Sequence, residues 1–200
     1  MKRPVSLAVE GTLDEKVLRR FLDQVAGERL EAGICYVQNG RERLKQNTPR
    51  FNQAARFQPF VILADLEADN CPPTLVRDWL PAGAHPNLVL RIAVRKVESW
   101  LLADRRACAD FLGVAGKLVP HQPDQEADPK LALVNLARRS RLRHIRDDVV
   151  PVAGSTSRVG RNYVGQLTRF IFQGWDAQRA GQQSDSLRRA INALQHFSPA

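Results

Sequence analysis

The sequence predicts an α/β fold, a parallel sheet flanked by helices, with a helical extension towards the C-terminal end. Three observations carry this reading. The runs Val5–Val9 and Phe60–Ala64 are apolar almost throughout, as strands buried on both faces are. Segments of helical periodicity alternate with such runs over residues 1–112. Beyond Gly113 the strand-like runs cease and amphipathic helical patterns take over.

Taken in order, Val5-Ser6-Leu7-Ala8-Val9 stops abruptly at Glu10-Gly11, the pattern of a buried strand entering a tight turn. From Leu13 apolar residues recur at Val17, Phe21, Leu22 and Val25; Thr12 reads as the N-cap, with Glu15 completing a capping box. A second strand is expected from Gly33 to Val37, closed by Asn39-Gly40. A basic helix follows from Arg41 to Arg56, interrupted near Pro49. The third strand, Phe60–Ala64, runs into Asp65-Leu66-Glu67-Ala68-Asp69. Pro72-Pro73 opens a helix through Leu80, Asn87 to Val94 makes a fourth strand, and Val97 to Leu112 a helix. Residues 114–130, rich in proline and acid, read as a loop, and helices are expected at Lys130–Arg143, Asn162–Gln173 and Ser184–His196. The domain reading is an α/β core over 1–112, with a basic, helical part over 113–200 packed on it as one compact unit.

The bulk composition narrows the function. At 200 residues and 44% hydrophobic content, the chain suits one globular unit with a real core. It has no apolar run near the roughly 20 residues a membrane span requires, and Glu10 breaks the early apolar stretch before it resembles a signal peptide. A cytoplasmic location without membrane contact is the expectation. Cys35, Cys71 and Cys108 are too widely spaced for a zinc signature and read as reduced thiols. His85, His121, His144 and His196 show no paired spacing and receive no role. Thirty Lys and Arg against 21 Asp and Glu leave a net charge of +9, a surface that attracts polyanions such as DNA or RNA.

Ligands of an open parallel sheet bind beyond the carboxyl ends of its strands. Acids stand there twice: Glu10 after the first strand, and Asp65 with Glu67 after the third. Asp14 lies in the first turn of the helix that follows Glu10 and leans towards the same rim. Converging carboxylates repel one another unless a cation intervenes, and hard oxygen ligands suit Mg²⁺ or Mn²⁺. The competing reading is a set of solvated acids favoured by nearby helix N-termini.

The motif Val9-Glu10-Gly11-x-x-Asp14-Glu15, followed by an Asp-x-acid after a later strand, resembles the Toprim signature of primases, topoisomerases and nucleases. The Glu10-to-Asp14 spacing is most similar to the OLD-type nuclease branch. Val97-Glu98-Ser99-Trp100-Leu101-Leu102-Ala103-Asp104, Asp128-Pro129-Lys130 and Gly160-x-x-Tyr163 resemble a family of small bacterial Toprim-like proteins often paired with AAA-type ATPases in apparent phage-defence systems. The resemblance implies a Toprim-like fold and a Mg²⁺- or Mn²⁺-dependent nuclease, with Glu98 as an additional metal ligand and Lys130 near the scissile phosphate. One departure stands out: the family has Asp-x-Asp where this chain has Asp65-x-Glu67, whose longer side chain moves the carboxylate outward, with Asp69 as a compensating acid.

Basic residues cluster in Arg138-Arg139-Ser140-Arg141-Leu142-Arg143-His144-x-Arg146, and Arg158 and Arg161 flank Gly160. Arg138, Arg139, Arg141, Arg143, Arg158 and Arg161 read as contacts to a phosphate backbone, against the plainer reading of a solvated helix end. Asp104 falls on the apolar stripe of Val97, Leu101, Cys108 and Phe111, where a carboxylate requires a salt bridge or a cap partner. Trp100 reads as core. The combined reading is a nuclease in which Glu10 and Asp14 hold one metal ion, and Asp65 and Glu67 the other. Its rivals are a catalytically lapsed binding or regulatory subunit of an ATPase complex, and a receiver-type domain phosphorylated on Asp65. Neither the oligomeric state nor the choice between DNA and RNA is legible.

Overall fold

In the computed structural model, which describes residues 1–68 and 71–199, β1 (Arg3–Val9), β2 (Leu30–Val37), β3 (Phe60–Asp65) and β4 (Leu88–Ala93) form one parallel sheet in the order β2-β1-β3-β4. Asp69 lies outside the described residues. Alternate side chains leave the sheet on opposite faces. Val5, Leu7, Val9, Val61 and Leu63 join one buried cluster, while Ala8, Phe60, Ile62, Ala64, Leu90 and Ile92 join another. Two buried faces explain why β1 and β3 read as unbroken apolar runs.

The first face is covered by α1 (Thr12–Ala26), α4 (Val97–Ala103), α5 (Arg105–Leu112) and the C-terminal helices; the second by α2 (Arg41–Ala54) and α3 (Pro72–Trp79). The C-terminal part comprises α6 (Pro129–Arg138), α7 (Arg143–Val149), α8 (Tyr163–Gln173), α9 (Ala177–Gly181) and α10 (Asp185–Gln195). Its Leu167, Phe170, Ile171, Leu187 and Ile191 lie in the same buried cluster as Leu7 and Phe21. Trp100 is core, as expected: it packs on Phe21 at 5.5 Å between centroids, and its indole N–H donates to Ser186 Oγ at 2.8 Å. No helix among the described residues is long and apolar enough to cross a membrane.

The α/β class, the parallel sheet and the helical extension agree with the sequence; several local expectations do not. Gly11, not Thr12, is the N-cap of α1, and Asp14, not Glu15, closes the first turn by accepting the Gly11 N–H at 2.9 Å. Glu15 instead pairs with Arg19 one turn on, at 2.8 Å. Pro49 does not interrupt α2: it and Lys45, whose carbonyl it leaves without an N–H, both lie on the exposed side of the helix, where the unpaired carbonyl costs least. The segment expected as a loop holds short 3₁₀ turns at Gly116–Leu118 and Pro123–Gln125, and α7 and α9 had no counterpart in the sequence reading.

One expected helix is split and another is shortened. Val97–Leu112 breaks at Asp104, whose backbone (φ −80°, ψ 67°) is not helical. Its buried carboxylate accepts a forked pair from Arg179, Nη2 at 2.7 Å and Nε at 3.2 Å, and the Asp176 N–H at 2.9 Å. This is the salt bridge and cap partner that the apolar stripe demanded. The expected Lys130–Arg143 helix stops at Arg138, because the chain turns to bond the end of α5: Ser140 Oγ donates to Leu112 O and Arg141 N–H to Gly113 O at 3.1 Å. Gly113 takes a left-handed conformation (φ 63°), and a Cβ there would lie 2.7 Å from Leu142 Cγ. Asp104→Ala would leave the Asp176 N–H and the Arg179 fork without their acceptor, so urea denaturation should show a loss of about 2–4 kcal/mol. A loss below about 1 kcal/mol would show that the junction is held by apolar packing instead.

Candidate functional site

The strand order places a switch point between β1 and β3, because the chain leaves β1 towards β2 on one side and β3 towards β4 on the other. The sequence puts acids at that point. Glu10, the residue after β1, accepts the Asp65 N–H on its Oε1 at 2.9 Å, a bond that bridges the two strand ends. Asp65, the last residue of β3, accepts the Val97 N–H at 3.0 Å and so anchors the start of α4. Asp14 is held by Gly11 as described above, and Glu98, in the first turn of α4, is 2% exposed.

These groups repel one another. Burial first, and then the carboxylates of Glu98 and Glu10, push the Asp14 carboxyl up to about 7. Burial first, and then Asp14, Glu98 and Glu10, hold the Asp65 carboxyl well above the usual range. Burial also raises Glu10, with the nearby Glu67 charge acting in the same direction and the Asp65 N–H, Arg41 and Lys96 against it. Glu10, Asp14, Asp65 and Glu98 therefore form one electrostatic group at the carboxyl ends of the strands.

Glu67 stands apart. It lies just past β3 with a positive φ of 51°, and its Oε1 pairs with Lys96 Nζ at 3.0 Å. Burial opposes the charged form of Lys96, but Glu67, Asp65 and Glu98 outweigh this and raise its pKa. Sequence reading missed Lys96 and Arg41. The Arg41 guanidinium donates to the Asp65 carbonyl at 2.6 Å and lies over the Trp79 ring. The position of Lys96, between β4 and the Glu98 turn, was the available signal.

Lys130 is brought to the acids. Its Nζ lies 3.5 Å from Glu98 Oε1, the same oxygen that accepts the Tyr163 hydroxyl at 3.0 Å, and 5.9 Å from the Tyr163 ring centroid. Three motifs distant in sequence thus meet at Glu98. Gly160 permits this: a Cβ there would lie 2.3 Å from the Asp148 carbonyl, so only glycine lets the chain pass so close before Tyr163.

The arginines are divided. Arg138 and Arg158 line a cavity of about 390 Å³ with Lys130, Ser155 and Ser157. Arg158 also pairs with Asp128, the N-cap of α6. Arg139, Arg141 and Arg143 do not line this cavity; Arg143 lies 3.4 Å from Asp147, and Arg161 lies 3.9 Å from Asp148 beside a separate hollow. The split after α6 is what scatters them.

The donor set has the chemistry of a hard-cation site: carboxylates, little solvent and mutual repulsion that a divalent ion would relieve. Each carboxylate nonetheless spends an oxygen on a protein hydrogen bond, and no three Asp, Glu, His or Cys side chains among the described residues stand gathered as a ready ion-holding group. The electrostatics fit a cation; the side-chain positions require it to draw them in.

The raised acids make stability depend on pH. A carboxyl raised by folding binds its proton more tightly in the folded chain, so its favourable contribution is full below the unfolded value of 3.8 and is lost as pH rises through about 7. The lowered acids Glu15, Asp128, Asp148 and Asp185 act in the opposite sense, but only at or below the ordinary carboxylate range. In chelator, thermal melts should therefore be higher near about pH 5 than near about pH 8, and Asp14→Asn should shrink the difference. A flat or rising profile in the wild type would refute the repulsive cluster.

No family model matches the chain, and no curated protein matches it. Among solved structures it is similar to the C-terminal region of the Burkholderia pseudomallei OLD protein, at 12% identity over 98% of this chain and 98% of that chain, with a TM-score of 0.46.

Proposed function

We propose that the chain is a metal-dependent nuclease acting on the phosphodiester bonds of DNA or RNA. The observation that carries this is the cluster of Glu10, Asp14, Asp65 and Glu98 at the switch point, with Lys130 beside it. Glu10, Asp14, Asp65 and Glu98 would hold Mg²⁺ or Mn²⁺, which when bound would supply Lewis-acid activation of water and neutralise charge on the phosphate. Glu67, engaged by Lys96, would join only by releasing that lysine.

The chain's own side chains suit the remaining tasks. Lys130, about one-third exposed, presents an ammonium to a phosphate oxygen while Glu98 and the Tyr163 ring hold it in place. Arg138 and Arg158 extend the positive charge from Lys130 along the adjoining cavity, where the nucleic-acid backbone would lie. Contacts of this kind position the strand without reading its bases.

A second reading rests on the Glu67–Lys96 pair and on the absence of a gathered ligand group among the described residues: a lapsed site in a nucleic-acid-binding or regulatory subunit of an ATPase complex. Calorimetric titration with Mg²⁺ and Mn²⁺ separates the two, since the nuclease should bind an ion and Asp65→Asn should abolish that binding. Plasmid, single-stranded DNA and RNA should then be cut only with metal, and Glu10→Ala should lower the rate by at least about 100-fold while the protein stays folded. Undiminished cutting by Glu10→Ala would overturn the assignment. Lys130→Gln should cut less at every salt concentration, and Arg158→Gln should make binding less salt-dependent.

A further inference from the structure

The edge of β4 opposite β3 carries a second site, away from the acids. Asn87, Ala93 and Arg95 turn their carbonyls towards Phe60, Leu66 and Glu67 on the β3 side. By strand alternation Leu90 and Ile92 therefore direct their N–H and C=O groups outward, as Val94 does in donating to Ser186 Oγ at 3.3 Å. A cavity of about 810 Å³ runs along this edge, between the start of α3 and the start of α10. Its volume falls in the range of small-molecule sites, roughly 300–1,000 Å³. Pro72, Pro73 and Val76 make one wall apolar, with Leu90 and Ile92 at the base.

The charge of the cavity is uneven. Asp124 and Asp185 border it but are already engaged: Asp124 accepts from the Ser184 hydroxyl and the Ser186 N–H, and Asp185 pairs with Arg188 and Arg189. Arg91 is different. Its Nε is buried without a hydrogen-bond partner, and its guanidinium makes no ion pair among the described residues. It shares the cavity with Arg77 and with Arg189, whose like charge disfavours the charged form of Arg91 after burial has done so. A half-buried guanidinium with an unpartnered Nε, facing a cavity it shares with two more arginines, suits an anion.

We propose that this cavity binds a small organic phosphomonoester, the phosphate held by Arg91 with Arg189 and Arg77, and a planar or apolar body laid along the β4 edge. The outward N–H and C=O groups of Leu90 and Ile92 offer a donor beside an acceptor, the complement of a nucleobase edge. The site is independent of the metal-centre reading, and its test requires no metal.

Calorimetry in chelator with AMP, CMP and phenyl phosphate as probes tests it, with adenosine and inorganic phosphate as the parts. At least one phosphomonoester should bind saturably, and more tightly than either part. Arg91→Gln or Arg189→Gln should weaken it by about tenfold or more, whereas Arg158→Gln at the other basic cavity should leave affinity unchanged. Because an unpaired half-buried guanidinium does not stabilise the fold, Arg91→Gln should melt no lower than the wild type; Arg189→Gln, on the exposed side of α10, gives a second reading. Binding of adenosine as tight as that of AMP, affinity lost in Arg158→Gln but kept in Arg91→Gln, or no binding of any probe at millimolar concentration would overturn the proposal.

Discussion

Holding several carboxylates together with little water is the constraint on which the rest of this structure depends. Each acid would leave its position unless something fixed it, and in each case that something is the fold itself. The Asp65 N–H fixes Glu10, the Val97 N–H fixes Asp65, the Gly11 N–H fixes Asp14, and the Tyr163 hydroxyl fixes Glu98. Backbone amides at strand and helix ends are the cheapest donors for this purpose, since they would otherwise stand unpaired. The acids in turn tie β1 to β3, β3 to α4, and α4 to α8. Site and scaffold are one network, so changes to the acids will be felt in both.

Cations are distributed to match. Lys96 answers Glu67, Lys130 answers Glu98, and Arg41 reaches the carbonyl of Asp65 from the neighbouring helix. These cations do not offset burial and mutual repulsion at Asp14 and Asp65, whose carboxyls remain raised. The site thus carries cations at its rim and acids at its centre.

Much of this was legible in the sequence because it rests on short-range patterns. Apolar runs buried on two faces announce parallel strands, and Glu10 and Asp65 follow such runs directly, so their place at the strand ends could be read from position alone. What was hidden depends on contacts distant in the chain. The break at Asp104 exists because Arg179 and the start of α9 need that carboxylate, and the turn after Arg138 exists because Ser140 reaches back to Leu112. Both segments have helical periodicity, and periodicity alone cannot register a partner 75 or 28 residues away. The unpaired Arg91 was equally unreadable: on an alternating strand it passes for an ordinary solvent-facing residue.

The buried cluster shared by β1, α1 and the helices from α8 to α10 has a consequence for how the chain is made. Phe21 and Trp100 emerge from the ribosome well before Trp175, whose indole bonds the Trp100 carbonyl, and before Ser186, which receives the Trp100 indole. Until that last stretch is synthesised, one face of the sheet has only part of its cover. The nascent chain must wait with apolar surface exposed, and its earliest strands become secure only when its latest helices arrive.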